Sequence, residues 1–275
     1  MTSDKTISER TRARLLDMIR EGNSLALASG RPLESILEVL DRLDIKEEVG
    51  KMQADGAGGI YITAYNGAML YDCMKDELIS ESCVSAEAVQ RIFDMARERG
   101  MHVHTYADGA RIVSIAEDKE LAYYRQYIHL PYAVTERPKE FLSHEAYKLV
   151  AIDLENRERL EDFRRAVEAS ELGEGLTCAF SNNSYLEIYN KDAGKGNALI
   201  KLCRELNILI RNAAAAGDEE NDISMIEAAG TGAAMANAGP KLKACADYVT
   251  KRDNDNDGIA ELIDLFVLGM EERGL

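Results

Sequence analysis

The sequence predicts an α/β protein in which strand-helix alternation at both ends of the chain encloses an α+β insert over residues 75–188. Three observations carry this. An apolar run, Leu25-Ala-Leu-Ala28, ends at the polar turn Ser29-Gly30-Arg31-Pro32 and leads into a helix over 33–43. A small-residue run over 212–216 delivers Gly217-Asp218-Glu219-Glu220-Asn221-Asp222, after which Ile223, Met225, Ile226 and Ala229 fall at helical spacing. Between these two units, hairpin patterns mix with helical ones.

Taken in order, Thr6-Ile-Ser-Glu9 has capping-box form and predicts a helix with Ile7, Leu15, Leu16 and Ile19 on one face, stopping near Gly22. The turn after 25–28 puts the Ser29 hydroxyl and the Gly30 amide at a strand's carboxyl end beside a helix start, where anions are favoured. By itself Ser-Gly is also a common turn. Ile60-Tyr-Ile-Thr63 is β-type, and Asn66-Gly67 between it and Met69-Leu-Tyr71 predicts a hairpin.

The insert reads as a helix over 86–99, a strand His102-Val-His-Thr-Tyr106, a turn at Asp108-Gly109 and a strand Arg111-Ile-Val-Ser-Ile115. Further strands follow at 147–153, 177–181 and 185–189, with a helix over 157–171. After it, Gly194-Lys195-Gly196 opens a helix through Leu199, Leu202 and Leu206. A lysine at such a start can reach a phosphate as a mobile point charge. The pattern is not a Walker A loop, because Gly196 stands where Ser or Thr belongs. In the acidic turn Gly217 allows a sharp reversal, and its hard oxygen ligands suit Mg²⁺. A strand over 248–250 and a helix from Ile259 end the chain's pattern.

Composition excludes some classes. A net charge of -16 repels a phosphate backbone or an anionic membrane surface, so neither nucleic acid nor membrane is the expected partner. Cys73, Cys83, Cys178, Cys203 and Cys245 show no CxxC spacing. That argues for a reducing, cytoplasmic setting without disulfides or a zinc site. The Met1-Thr-Ser-Asp-Lys start lacks a signal peptide's apolar region.

Two acidic stretches invite other readings. Asp253-Asn-Asp255-Asn-Asp257-Gly258, with Asp264 at the twelfth position, nearly spells an EF-hand loop, but a strand rather than a helix precedes it. A solvated turn is expected there. Leu149-Val-Ala-Ile-Asp153-Leu-Glu155 ends an apolar strand in two carboxylates. A surface strand end is the expected role, and a nucleophile the alternative.

In sequence order, Ser29-Gly30-Arg31-Pro32, Asn66-Gly67-Ala68, the insert, Lys195-Gly196, Gly217-Asp218-x-x-Asn221-Asp222 and Ala234-Met235-x-Asn237-Ala238 resemble the Cof-like phosphatases of the haloacid dehalogenase superfamily over essentially the full length. The resemblance implies a doubly wound, Rossmann-like parallel-sheet core of residues 1–74 and 189–275, with 75–188 as a substrate-selecting cap. It implies Mg²⁺-dependent hydrolysis of small phosphorylated metabolites, phosphosugars favoured, through a phosphoaspartate. Ser29, the Gly30 amide, Lys195 and Asn221 would bind the phosphoryl group and Asp218 would bind Mg²⁺. Asp222 would orient Lys195 or a metal-bound water. His102, His104, Tyr106 and Tyr124 are expected to fill the cap's own core rather than line a pocket.

One departure matters. Such phosphatases begin with a buried strand ending in Asp-x-Asp-Gly-Thr, whose first Asp is the nucleophile. Here Asp-x-Asp occurs only within 253–257, and Met1-Thr-Ser-Asp-Lys-Thr-Ile-Ser resembles the segment that follows that motif. The expectation is a truncated chain, with Met1 an internal methionine, that is inactive as given. Its sheet would lack the first core strand and expose edges that invite a homodimer or aggregation. The alternatives are a catalytically dead module that binds phosphorylated metabolites, and relocation of the nucleophile to Asp153.

Overall fold

Ser8, rather than Thr6, starts the first helix, α1 (Glu9–Arg20). Its hydroxyl accepts from the Thr11 amide at 3.0 Å and donates to Asp257, so a tertiary contact 249 residues away selects the cap. The structure is a computed structural model and describes residues 6–52, 56–107, 111–143 and 145–269. The expected Asp108-Gly109 turn lies outside the described residues.

The chain divides into two compact units, one of Met1–Arg31, Ile36–Ser80 and Gly194–Leu275, the other of Pro32–Ser35 and Glu81–Ala193. In the first, β1 (Leu25–Ala28) leads to α2 (Leu33–Arg42), whose Ile36, Val39 and Leu40 are buried at i, i+3, i+4 spacing. A further helix, α3 (Ile45–Met52), escaped the sequence reading; its buried Ile45 and Val49 stand among charged residues and form a single i, i+4 pair. β2 (Ile60–Ala64) lies parallel to β1, with Ala28 opposite Thr63, and returns antiparallel as β3 (Met69–Asp72), with Ala64 opposite Met69. β4 (Glu77–Glu81) completes a sheet of order β1-β2-β3-β4. That pairing keeps the first residues past 75 with the first unit.

The second unit is a sheet backed by helices. α4 (Ala86–Glu98), β5 (His102–Ala107), β6 (Arg111–Ser114), α5 (Lys119–Tyr124) and β7 (Tyr132–Val134) are followed by β8 (Lys148–Ile152), α6 (Arg157–Glu168), β9 (Leu176–Asn182) and β10 (Tyr185–Asn190). The six strands order as β7-β6-β5-β8-β10-β9. Alternation along the strands sends Val103, Leu149, Ala151, Leu186 and Ile188 to one face, where Val89, Ile92 and Phe93 of α4 and Leu160, Phe163 and Val167 of α6 pack on them. Each such burial stabilises the unit by roughly 1.5–3 kcal/mol. The opposite face carries His102, His104, Tyr106, Lys148 and Glu187, all buried. Lys148 Nζ lies 2.7 Å from Glu187 Oε2, a pairing that lets the sheet bury a lysine.

The first unit resumes with α7 (Lys195–Glu205), β11 (Ala214–Gly217), α8 (Ile223–Ala228), β12 (Thr231–Ala234), α9 (Pro240–Cys245), β13 (Tyr248–Val249) and α10 (Gly258–Leu262), the last running into a π-helical turn, Ile263–Val267. β11, β12 and β13 form a separate, wholly parallel sheet. The α/β class is as expected; among the described residues the strands of the first unit form two sheets, with β1 and β11 as edge strands. Leu25 and Ser29 donate their amides to Gly59 and Thr63, so strand alternation turns the backbone groups of Ala26 and Ala28 to the other edge. The same logic turns those of Ala214 and Ala216 away from β12, because Ala213 and Gly217 accept from Thr231 and Met235.

The acidic loop over 253–257 is exposed at Asp255 and Asn256, as a solvated turn would be, and Asp257 ties it to α1. Asp257 Oδ1 accepts from the Ser8 and Thr11 hydroxyls, Asp253 Oδ1 accepts from the Asp255 amide at 3.0 Å and the Asn256 side chain at 2.7 Å, and Asp264 pairs with Arg10 and Arg14 of α1. Through Asp257 and Asp264 this segment is held to α1.

Candidate active site

The site forms where β1, β2, β11 and β12 end, because their carboxyl ends are linked by short polar contacts. Ser29 follows β1 directly. Its amide donates to Thr63 O at 2.9 Å, its carbonyl accepts from the Asn66 amide at 3.0 Å, and its hydroxyl oxygen accepts from the Arg31 amide at 3.2 Å. These bonds leave the hydroxyl proton for a further acceptor.

The predicted hairpin joins β2 to β3 through Tyr65, Asn66 and Gly67, with φ of 51°, 59° and 85°. A run of left-handed residues is what a tight reversal between these strands demands, and Asn and Gly tolerate it best. It turns the Asn66 carbonyl toward the Gly194 amide, 2.8 Å away, and sets its side-chain oxygen 3.5 Å from the Asn221 amide. Asn66 is thus the hub that holds the Ser29 turn to the start of α7. Sequence reading placed it in a motif but gave it no role, since its partners lie far along the chain.

Lys195 opens α7, its Cα following Gly194 at φ 111°. The ammonium reaches Asp222 Oδ1 at 2.5 Å and Asn221 Oδ1 at 3.2 Å, with Lys195 only 7% and Asp222 only 6% exposed. Asp222 Oδ2 accepts from the amides of Asp218 and Glu219 at 3.0 and 3.1 Å, and Glu219 caps back onto the Asp222 amide. This reciprocal box freezes the acidic turn. It also explains Gly217: a Cβ there would lie 2.4 Å from the Asp222 side chain.

An ammonium has three donors. Two meet Asp222 and Asn221, and the third is available to an anion at the strand ends. The Asp218 carboxylate accepts from the Asn237 amide at 3.2 Å, so the β12 loop, through Asn237, steadies it. Glu219 has its acidity weakened by burial first and then by the charges of Asp218 and Asp222. The turn holds more negative charge than Lys195 can balance, which favours a cation. Among the described residues no three His, Cys, Asp or Glu side chains gather to hold a metal alone. A hard ion that keeps most of its waters and takes one or two carboxylates, as Mg²⁺ does, fits a single Asp218. A zinc set does not form.

Of the residues singled out from sequence, Ser29, Lys195, Asn221, Asp222 and Asp218 are brought together through Asn66 and the acidic turn. Gly30 follows Ser29 in the same turn. Asp153 lies in the second unit, where its carboxylate is taken up locally: Oδ1 accepts from the Glu155 and Asn156 amides at 3.0 and 2.8 Å, and Oδ2 from Arg159 at 2.7 Å. A carboxylate so bound caps a turn. His102, His104, Tyr106 and Tyr124 are 8% exposed or less. All five cysteines are free, and burial pushes the thiols of Cys73, Cys83 and Cys178 up to about 12, which makes them inert.

Comparison with known proteins agrees with this geometry. The family model of haloacid dehalogenase-like hydrolases matches residues 1–263. The phosphatase YwpJ of Bacillus subtilis is 26% identical over 89% of this chain and 88% of its own length. From the same organism, the 5-amino-6-(5-phospho-D-ribitylamino)uracil phosphatase YwtE is 25% identical, covering 98% and 95%. A haloacid dehalogenase-like hydrolase from Bacteroides thetaiotaomicron superposes with a TM-score of 0.81 at 27% identity, over 96% of this chain and 94% of that one. With strand-end polar residues in this order and a family match over nearly its whole length, the chain belongs to the haloacid dehalogenase-like hydrolases and, within them, to the phosphomonoester hydrolases.

Proposed function

We propose a Mg²⁺-dependent phosphatase of small phosphorylated metabolites, phosphosugars first, working through a phosphoaspartate, in which these 275 residues grip phosphate and hold no strand-end Asp-x-Asp to act as nucleophile. The carrying observation is Lys195, buried and held between Asp222 and Asn221 with a donor to spare. Phosphoryl transfer asks a protein chiefly to position the group and balance charge on its equatorial oxygens. Ser29 and the Gly30 amide take one side of that group, and Lys195 and Asn221 the other. Asp218 would hold Mg²⁺, which when bound supplies further neutralisation of the phosphoryl oxygens. Asp222 keeps Lys195 pointed and the turn closed.

The unit of residues 81–193 acts in this reading as the substrate-selecting cap. A phosphorylated polyol chain is the group named in YwtE, which supports a small sugar-like phosphate. Free thiols, two of them buried, support a cytoplasmic setting, and no described helix is long and apolar enough to cross a membrane. The unpaired edges of β1 and β11 support a homodimer formed by edge pairing.

Asp-x-Asp occurs only in 253–257, and there Asp257 is bonded to α1 and Asp253 to its own loop. Hydrolysis of an aryl phosphate with Mg²⁺ tests the reading, comparing the 275-residue chain with the same chain extended at its N-terminus by a strand ending in Asp-Leu-Asp-Gly-Thr. The extended form is expected to turn over ~10⁴-fold faster or more. Equal activity in the short form refutes the missing nucleophile. A folded but silent extended form that binds phosphate would replace the phosphatase by a binding module.

A further inference from the structure

Behind the exposed Tyr123 of α5, the second unit buries a line of titratable groups that the phosphate site does not use. His102 Nδ1 lies 2.8 Å from Asp118 Oδ2, and His102 Nε2 lies 3.1 Å from His104 Nδ1. His104 is fully buried and its Nε2 meets no partner among the described residues. Asp118 is also the cap of α5, its Oδ1 accepting from the Leu121 amide at 2.9 Å. At the other end of the line the His104 ring packs against Tyr124 of α5, centroids 4.4 Å apart. Both ends of one hydrogen-bonded chain therefore hold the same short helix.

The proton arrangement follows from donor and acceptor chemistry. A carboxylate accepts, so His102 donates from Nδ1, its Nε2 accepts from His104 Nδ1–H, and His104 Nε2 keeps a bare lone pair. One proton per ring satisfies every atom but that one. A further proton on the pair, wherever it enters, ends as an Nε2–H on His104 with nothing to receive it. The extra proton also puts a positive charge on a buried pair, and an unsatisfied charged donor in the interior costs more than an unsatisfied neutral lone pair.

We propose that the Asp118–His102–His104 line is a proton-controlled latch that keeps residues 116–128 docked on the sheet and releases them when the pair takes one more proton. The groups facing His104 set the direction. On β5 these are His102 and Tyr106, on β8 Lys148, which is paired with Glu187 of β10, and on α5 Tyr124, which also contacts Tyr185 of β10 and the Tyr106 hydroxyl. Lys119 and Glu120 of α5 pair with Glu155 and with each other, and do not reach the line. Burial first, then the charges of His102 and Lys148, hold the His104 imidazole well below the usual histidine range. Burial raises the Asp118 carboxyl, but bonds from His102 and the Leu121 amide outweigh it and leave it low.

A docked His104 that resists protonation and a released one that titrates near about 6.5 mean that the latch is fully closed above that pH and loosens as pH falls through it. The opening equilibrium of 116–128 rises by up to about tenfold per pH unit below about 6.5. Tyr123 and Tyr127, already exposed, lie on the released segment.

Amide hydrogen exchange of the full chain at pH 7.5, 6.5 and 5.5, corrected for intrinsic rates, tests this. Amides of α5 are expected to open about fivefold more between pH 6.5 and 5.5, while those of α4 stay within about twofold. In His104→Leu the α5 response is expected to be flat. An equal acid response in α4 and α6, or none in α5, overturns the latch, and this comparison within the wild-type chain decides even if the variant fails to fold. A pH response that survives in a folded His104→Leu overturns it as well.

Discussion

Replacing Lys195 with methionine is expected to destabilise the first unit by about 3–5 kcal/mol, because the change leaves Asp222 charged and buried without its cation. Methionine matches the aliphatic stem, so lost packing contributes little. The Asp222 carboxylate keeps two backbone donors on Oδ2, from Asp218 and Glu219, but loses its 2.5 Å partner on Oδ1. A second variant separates pair breaking from pair absence. Asp222→Leu together with Lys195→Met removes both charges, and apolar replacement of a whole buried pair is often close to neutral. Recovery is incomplete here, since the Asp218 and Glu219 amides lose their acceptor at about 1–3 kcal/mol. Exchange at amides of α7 and α8 across a urea series reads the first unit alone, and a coupling above about 2 kcal/mol is expected between the two positions. A coupling below about 0.5 kcal/mol would mean that the lysine and the carboxylate are neighbours without mutual support. In the same series, protection by inorganic phosphate is expected to vanish with Lys195→Met.

The site was more legible than the sheet around it. Gly217 followed by carboxylates marks a sharp strand-to-helix turn in any context, because only a residue without Cβ leaves room for Asp222 to fold back, and the distances bear that out. Lys195 between two glycines was readable as a reaching cation, although its contact with Asp222 over 27 residues was not. Elements that depend on partners rather than pattern stayed hidden. α3 shows one apolar pair, Ile45 and Val49, and β4 is exposed or half-buried along its length, so neither carries a periodicity to detect. Ser8 displaced Thr6 as a cap because Asp257 reaches it, and a local signature cannot contain a residue from the far end of the chain. The buried Lys148–Glu187 pair is likewise a product of register: Glu187 faces Val150 across the ladder, one pleat from Lys148. Asp153, expected at a surface strand end, is instead buried, because Arg159 and two backbone amides take up its carboxylate, partners that lie beyond the strand itself.

Gly67→Ala is expected to cost about 2–4 kcal/mol and to loosen the site, and comparison with Gly22→Ala shows why. The two glycines have nearly the same backbone, φ of 85° and 87°. An alanine at either therefore bears the left-handed penalty of about 1 kcal/mol. They differ in what the new methyl meets. At Gly22 the nearest heavy atom is 3.8 Å away, whereas at Gly67 the Gly194 carbonyl oxygen is at 2.5 Å and its carbon at 2.7 Å. Those atoms are backbone and cannot swing aside as a flexible side chain would, so the start of α7 must move. Gly194 is held to Asn66 by a 2.8 Å bond and immediately precedes Lys195. Displacing it shifts the ammonium away from Asn221 and from the strand ends. The extended, nucleophile-bearing chain carrying Gly67→Ala is thus expected to lose affinity for phosphate as well as stability, while Gly22→Ala loses about 1 kcal/mol of stability and no affinity. Thermal unfolding paired with phosphate titration of both variants makes the comparison. Equal losses in the two would show that backbone conformation alone governs Gly67, and that the close approach to Gly194 is relieved without cost to the site.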